Sequence, residues 1–359
     1  MDEAGVLRAL VEEYSPSGHE SDAVRRFIGL AGSLGFRAHA DAVGNGIARI
    51  GAGPPSVMFL GHIDTVEGRL PVRVDGDRLY GRGACDAKGA LAAALVAAHR
   101  HEGPGEITVV AAVGEERDSR GARHLLAHAG PDFMIVGEPS GWDGVTIGYK
   151  GNLSLVLRVD GERAHLSSPS LTTVETGLAF VDRLRAFCDG RAGPTPFRSL
   201  TMKMQSIHTT HMGSKEHVEI SLNLRLPTGV GVDEVLAFVE RERGAIRCET
   251  TDASDAVEVD SRNVVVRALC AGIRKERGRP TLLRKLGTSD LNLAVPAWGC
   301  PAAAYGPGDS HLDHTDRENV DLGELRRSID VLREAFSILT APGRSGLRPA
   351  TVELDAPRS

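Results

Sequence analysis

Five apolar, strand-like runs in this chain lead into histidine, aspartate or glutamate, the residue types that bind metal ions and move protons. The run VMFLG leads into His62 and, two residues on, Asp64. In an extended strand, residues two apart point to the same side. A neutral histidine is a good zinc ligand, and a carboxylate beside it fixes its tautomer and raises its basicity. The same pair also suits a core histidine next to a turn aspartate. In LYGRGACDAKG the spacing of a dinucleotide loop fails, because Asp86 stands where the third glycine belongs. Asp86 is then either a helix cap or a ligand. Glu115 and Glu116 follow VVAAVG. Adjacent residues cannot serve the same face, so one can bind metal while the other handles protons; a solvated acidic turn is the plainer alternative. Glu138 follows FMIVG, and His311 and His314 follow AAAYG.

Each signal is weak alone, and their joint pattern is not. Two histidines and three carboxylates suit a pair of borderline metals such as zinc. A carboxylate shared between two ions about 3.5–4 Å apart is the known two-metal arrangement. The chain has no G-x-S-x-G for serine catalysis and no Walker loop.

The elements that must position these groups alternate. GIARI and SVMFLGH read as strands, KGALAAALVAAHRH as a helix, EITVVAAVG as a strand, SRGARHLLAHA as a helix and DFMIVGE as a strand. This order predicts an α/β domain with a mainly parallel central sheet flanked by helices. Such a sheet carries its functional residues at the carboxyl ends of its strands. Near residue 152 the style changes. NLSLVLRVDG, SLTMKMQSI and HVEISLNLRL alternate as half-solvated strands, among the helical TTVETGLAFVDRLRAF and GVDEVLAFVERER. Those segments predict a smaller α+β insert with helices on one sheet face. The first style returns with NVVVRALCAGIRKER, TLLRK, AAAYG and DLGELRRSIDVLREAFSIL. The expected organisation is a discontinuous domain over 1–152 and 262–341, an insert over 153–261, and a loose tail over 342–359.

Bulk composition narrows the setting. The 359 residues are 41% hydrophobic and 25% charged, as in ordinary globular proteins, and the net charge of −6 argues against a general nucleic-acid binder. Cys85, Cys188, Cys248, Cys270 and Cys300 are odd in number and widely spaced, without C-x-x-C, which speaks against a disulfide framework. The acidic, amphipathic start lacks the pattern of a signal peptide, and no apolar stretch approaches a membrane span. A reduced, cytoplasmic protein is expected.

SPSGHE, GHIDTV, GRGACDAKG, GEE, GEPS, GTSD and HTDRE occur in the order found in the family of acetylornithine deacetylase, succinyl-diaminopimelate desuccinylase and carboxypeptidase G, over residues 15 to 318. The resemblance implies a dinuclear zinc amidohydrolase, with cobalt able to substitute, and a lid domain that forms a homodimer. It implies that His62 and Glu138 hold one zinc, Glu116 and His314 the other, and that Asp86 bridges them. His314 is preferred to His311 because HTDRE matches the family's final histidine motif. Asp64 would orient His62, and Glu115 would be the general base. GERAHLSSP resembles the lid motif whose histidine reaches the neighbouring subunit's site, so His165 would be an oxyanion donor, the alternative being a surface histidine. Arg225 and the loop GTSD, residues 287 to 290 with Gly287, Thr288 and Ser289, match positions that bind a substrate carboxylate or shape the pocket, and an arginine can grip a carboxylate with two parallel bonds. Arg225 can equally be a strand-surface charge.

Within the family, LPVRVDGDRLYGRGACDAKGALAA, IVGEPSGWDGVTIGYKG and YGPGDSHLDHTDREN look most like hydrolases that release lysine or ornithine from the C-terminal glutamate of the amino-group carrier protein LysW. A basic surface would suit that acidic carrier. Residues 191 to 225 hold Arg191, Arg198, Lys203, Lys215 and Arg225 against Glu216 and Glu219, so 5 − 2 = +3. A small-molecule N-acyl amino acid deacylase uses the same metal centre. A non-catalytic metal-binding scaffold is the alternative from another class, and it has no need of Glu115.

Overall fold

The computed structural model describes residues 2–163 and 167–343. His165 and most of the tail expected over 342–359 lie outside the described residues. The chain forms two compact units. One runs through Ile147, returns over Val259–Leu283 and continues from Ser289; the other holds Gly148–Glu258 and Arg284–Thr288.

The first unit is built on a mixed sheet. Seven of the sheet's nine described strands lie in the order Arg37–Ala40, Gly46–Ala52, Gly105–Ala112, Ser56–His62, Phe133–Gly137, Ala302–Ala304 and Gly144–Tyr149, and Val257–Glu258 and Thr281–Lys285 both pair with the last of these. The four central strands, from Gly105–Ala112 to Ala302–Ala304, are mutually parallel. The sheet thus has the expected parallel centre, and the strands at its margins add antiparallel pairings. The central strands are apolar on both faces because helices cover both sides. One of these helices, Lys88–His99, is alanine-rich and buried from Lys88 to Ala98. Alanine is the best helix former, and a helix apolar all round belongs in a core. It packs against Ser56–His62, Gly105–Ala112 and the long helix Leu322–Leu339. A three-stranded sheet, Asn319–Asp321, Arg78–Tyr80 and Arg73–Asp75, flanks the loop that carries Asp86.

The second unit is α+β. Its antiparallel sheet has the order Thr201–Met212, Lys215–Leu226, Gly151–Glu162 and Arg247–Ser254. Leu153, Leu155, Leu157 and Val159 alternate with more exposed residues, as do Val218, Ile220, Leu222 and Leu224. Their common face packs on Phe180, Val181 and Leu184 of Thr173–Asp189 and on Val235, Phe238 and Val239 of Val232–Glu242. Thr172 and Glu175 close the first of these helices with a capping box.

Candidate metal centre

The parallel centre brings the chemistry-bearing residues to one edge. His62 is the last residue of its strand and pairs in register with Ala112, while Gly61 pairs with Gly137 and Ala304 with Val136. Glu115 and Glu116 follow the first of these neighbours, and Glu138 directly follows the second. The loop after Ala302–Ala304 carries His314.

Asp86 stands at the middle. Its Oδ1 lies 3.1 Å from His62 Nε2, and its Oδ2 lies 3.2 Å from His314 Nε2. His314 Nε2 is also 3.0 Å from Glu116 Oε1. Ligand atoms of His62, Asp86 and Glu116 lie within 4.8 Å of one another. Of the two loop histidines, His314 is the one brought to these carboxylates. His311 is 93% exposed at its side chain and turns to Asp309 of its own loop. His314 adopts φ 61° and Ser119, just past the glutamate pair, φ 50°. Left-handed non-glycine residues cost on the order of 1–3 kcal/mol and cluster at functional sites.

Asp64 acts on its neighbours in two ways. His62 Nδ1 lies 3.0 Å from the Asp64 main-chain oxygen and 3.7 Å from Oδ1. A carbonyl oxygen only accepts, so Nδ1 carries the proton and Nε2 faces Asp86. The Asp64 carboxylate instead accepts from the N–H of Glu115 and of Glu116, each at 3.1 Å, and from the Ser17 hydroxyl at 2.7 Å. The ring is thus aimed chiefly by the main chain of Asp64, while its side chain fixes the glutamate pair.

Electrostatics at this edge favour bound cations. Asp64, Asp86, Glu115 and Glu116 lie around the two imidazoles, and Glu138 is near enough to act on Glu115. Burial raises Glu115 well above the ordinary carboxylate range, and Glu138, Asp290 and Glu116 raise it further against the pull of His62. Burial also raises Glu116, opposed by His314. Burial would raise Asp86, but His314 and His62 draw it far down. Burial would lower His62, yet Asp86, Glu115 and Asp64 hold it well above its usual range. Asp86 and Glu116 push His314 up to about 10. Perturbed groups concentrated in this way mark functional sites. The donor set of imidazole nitrogens and carboxylate oxygens, with Asp86 offering one oxygen to each side, fits two divalent ions.

The expected substrate-binding residues divide between the units. Arg225 and Thr288 belong to the second unit, where Arg225 Nη1 lies 3.5 Å from Thr288 Oγ1. Burial lowers the Arg225 guanidinium, and Asp252 opposes it. A Cβ at Gly287 would meet only open space. Ser289 belongs to the first unit and is buried, its N–H donating to Asn292 Oδ1 at 3.0 Å.

Sequence reasoning gave no role to several supporting residues. Ser15 donates to the Ile63 carbonyl, and Glu20 takes both oxygens to Arg120 beyond the glutamate pair. Lys88 is buried and donates to the Glu13 carbonyl at 2.6 Å. Asp290, by contrast part of the GTSD loop expected to shape the pocket, is buried and pushed up to about 6 by that burial. For the others the available signal was their position inside SPSGHE and GRGACDAKG, beside the residues that were assigned.

Residues 58–337 match the model of peptidase family M20/M25/M40. A Thermococcus kodakarensis protein, provisionally named a hydrolase of LysW-lysine and LysW-ornithine, is 39% identical over 93% of this chain and 91% of its own. The LysW-lysine hydrolase of Deinococcus radiodurans is 35% identical over 93% of this chain and 96% of its own. Among solved structures, an M20 family metallo-carboxypeptidase from Sulfolobus solfataricus shares the fold at a TM-score of 0.75 and 17% identity, over 94% of this chain and 99% of its own. The chain belongs to the M20/M25/M40 family of metal-dependent hydrolases.

Proposed function

We propose that this enzyme cleaves the amide joining lysine or ornithine to the C-terminal glutamate side chain of an acidic, LysW-type carrier protein. The observation behind the chemistry is Asp86, whose two oxygens face different histidines. The choice of substrate rests on the relatives named for LysW conjugates. His62 and Glu138 would hold one zinc ion, Glu116 and His314 the other, and Asp86 both. Two such ions supply an acidified water and a Lewis acid for the amide carbonyl. Glu115, buried beside them with its carboxyl raised, takes the proton of the attacking water and returns it to the leaving amine. The Asp64 carboxylate holds the Glu115 main chain during both transfers. His165, outside the described residues, would complete the oxyanion site from a second copy of the chain, and Arg225, Gly287, Thr288 and Ser289 would bind the substrate carboxylate or shape the pocket. The proposed catalytic domain is 1–152 with 262–341, and 153–261 is the lid and dimer surface. A cytoplasmic setting accords with the five free cysteines and with the lack, among the described residues, of a helix long and apolar enough to cross a membrane.

One observation favours a small acyl substrate instead. Two of the five cations expected to greet an acidic carrier are already engaged: Arg191 pairs with Glu234 and Arg198 with Glu258. Lys203 and Lys215 remain exposed. The deciding assay measures amine release from carrier ending in glutamyl-lysine or glutamyl-ornithine, beside N-acetylornithine, with added zinc or cobalt. Release from carrier alone is expected and ranks the two amines. Release from acetylornithine alone moves the enzyme to the deacylase function with the same metal chemistry.

A further inference from the structure

HTDRE carries, besides His314, an acid that the metal centre does not use. Glu318 is 1% exposed. Its Oε1 accepts from the main-chain N–H of Cys85 at 3.1 Å and of Asp86 at 3.2 Å. Its Oε2 accepts from Arg82 Nη1 at 2.9 Å. Arg82, itself buried, donates from Nε to the Gly68 carbonyl and from Nη1 to the Thr315 carbonyl, each at 3.0 Å. One short loop therefore delivers the His314 ring to the Asp86 side chain and the Glu318 carboxylate to the Asp86 main chain. A buried carboxylate is costly unless its charge is paired and its lone pairs are filled. Here both conditions are met by the segment that presents Asp86.

We propose that Glu318, braced by Arg82, is a positioning residue for the metal centre: it locks the Asp86 peptide so that the two carboxylate oxygens face separate ions. This rests on the dinuclear metal function above. Because Asp86 serves both ions, loosening its main chain weakens both together. That distinguishes Glu318 from a residue supporting a single ligand.

Glu324 provides an internal control. Its Oε1 accepts from the N–H of Trp142 at 2.8 Å and of Gly308 at 3.2 Å, the same device on loop residues assigned no ligand role. Full-length protein stripped by a chelator is titrated with cobalt(II), following visible absorption, alongside steady-state kinetics and thermal unfolding of the stripped form. Glu318→Gln is expected to bind both equivalents about 10–100-fold more weakly, the usual scale for groups that orient metal ligands. Its kcat falls while KM holds. Glu324→Gln is expected to lower Tm and leave cobalt affinity unchanged. Wild-type affinity and spectrum in Glu318→Gln overturn the proposal, as does weakening of only one equivalent. If Glu318→Gln does not fold, Arg82→Lys keeps the cation and removes the fork, and unaltered cobalt binding there overturns it equally. Wild-type protein that takes up no cobalt defeats the metal function itself, a separate outcome.

Discussion

At the scale of the residue, identical side chains are separated by where the main chain holds them. Glu115 and Glu116 are neighbours, both fixed through their N–H groups by Asp64, yet only Glu116 approaches His314. Glu115 carries the strongest raising influences, burial and the facing carboxylates. Glu115→Gln keeps the shape and removes the exchangeable proton. We expect kcat to fall by about 10²–10⁴-fold, the range for a lost general acid–base. Metal content, measured by atomic emission, should stay at the wild-type level. Retained turnover would exclude the proton role, and lost metal would make Glu115 a ligand. The types of these residues were legible in the sequence because ionisable groups directly after apolar runs are conspicuous. The double use of Asp64 was not, since a main-chain carbonyl leaves no trace in residue type.

At the scale of the element, the centre depends on strands that end level and pack tightly. A Cβ at Gly137 would lie 2.5 Å from Phe59 Cε1 and 3.1 Å from Gly61 Cα. Gly137→Ala should therefore force Phe59 or the strands apart and lose about 1–3 kcal/mol, the usual cost of overpacking. Chemical denaturation measures it, and a midpoint equal to the wild type would remove the packing argument. The buried strands and the alanine-rich helix were readable from apolar runs and helix propensity. Strand direction at the margins was not, because an antiparallel neighbour such as Gly46–Ala52 has the same local composition as a parallel one. The helix Leu291–Trp298 also escapes the usual signals, with Pro296 inside it.

At the scale of the whole molecule, buried ionisable groups link distant segments and make stability depend on pH. Lys88 ties the core helix to the Glu13 carbonyl. Burial lowers it from 10.5 to about 7, against the pull of Glu318, Glu13 and Asp64. The unfolded chain therefore binds the proton more readily between these values, and stability from this group is present above 10.5 and lost as pH falls to about 7. His314, raised to about 10, works in the opposite sense in metal-stripped protein. Its effect cancels when Lys88→Met is compared with wild type. The Tm of Lys88→Met minus that of wild type should rise as pH falls from 10.5 to 7. A difference independent of pH would mean that Lys88 stays charged in the fold.

The amino-acid order alone determined that ionisable groups follow successive apolar runs and that an alternating α/β pattern gives way to an α+β one. Both are local properties, carried by period and composition. Which groups meet was decided only by the tertiary structure. His311 and His314 share one loop and one chemistry, and only the placement of that loop gives Asp86 to His314. Glu318 is separated from Asp86 by 232 positions. Nothing periodic connects such residues, because their partnership is made by loops that the sheet brings to one edge.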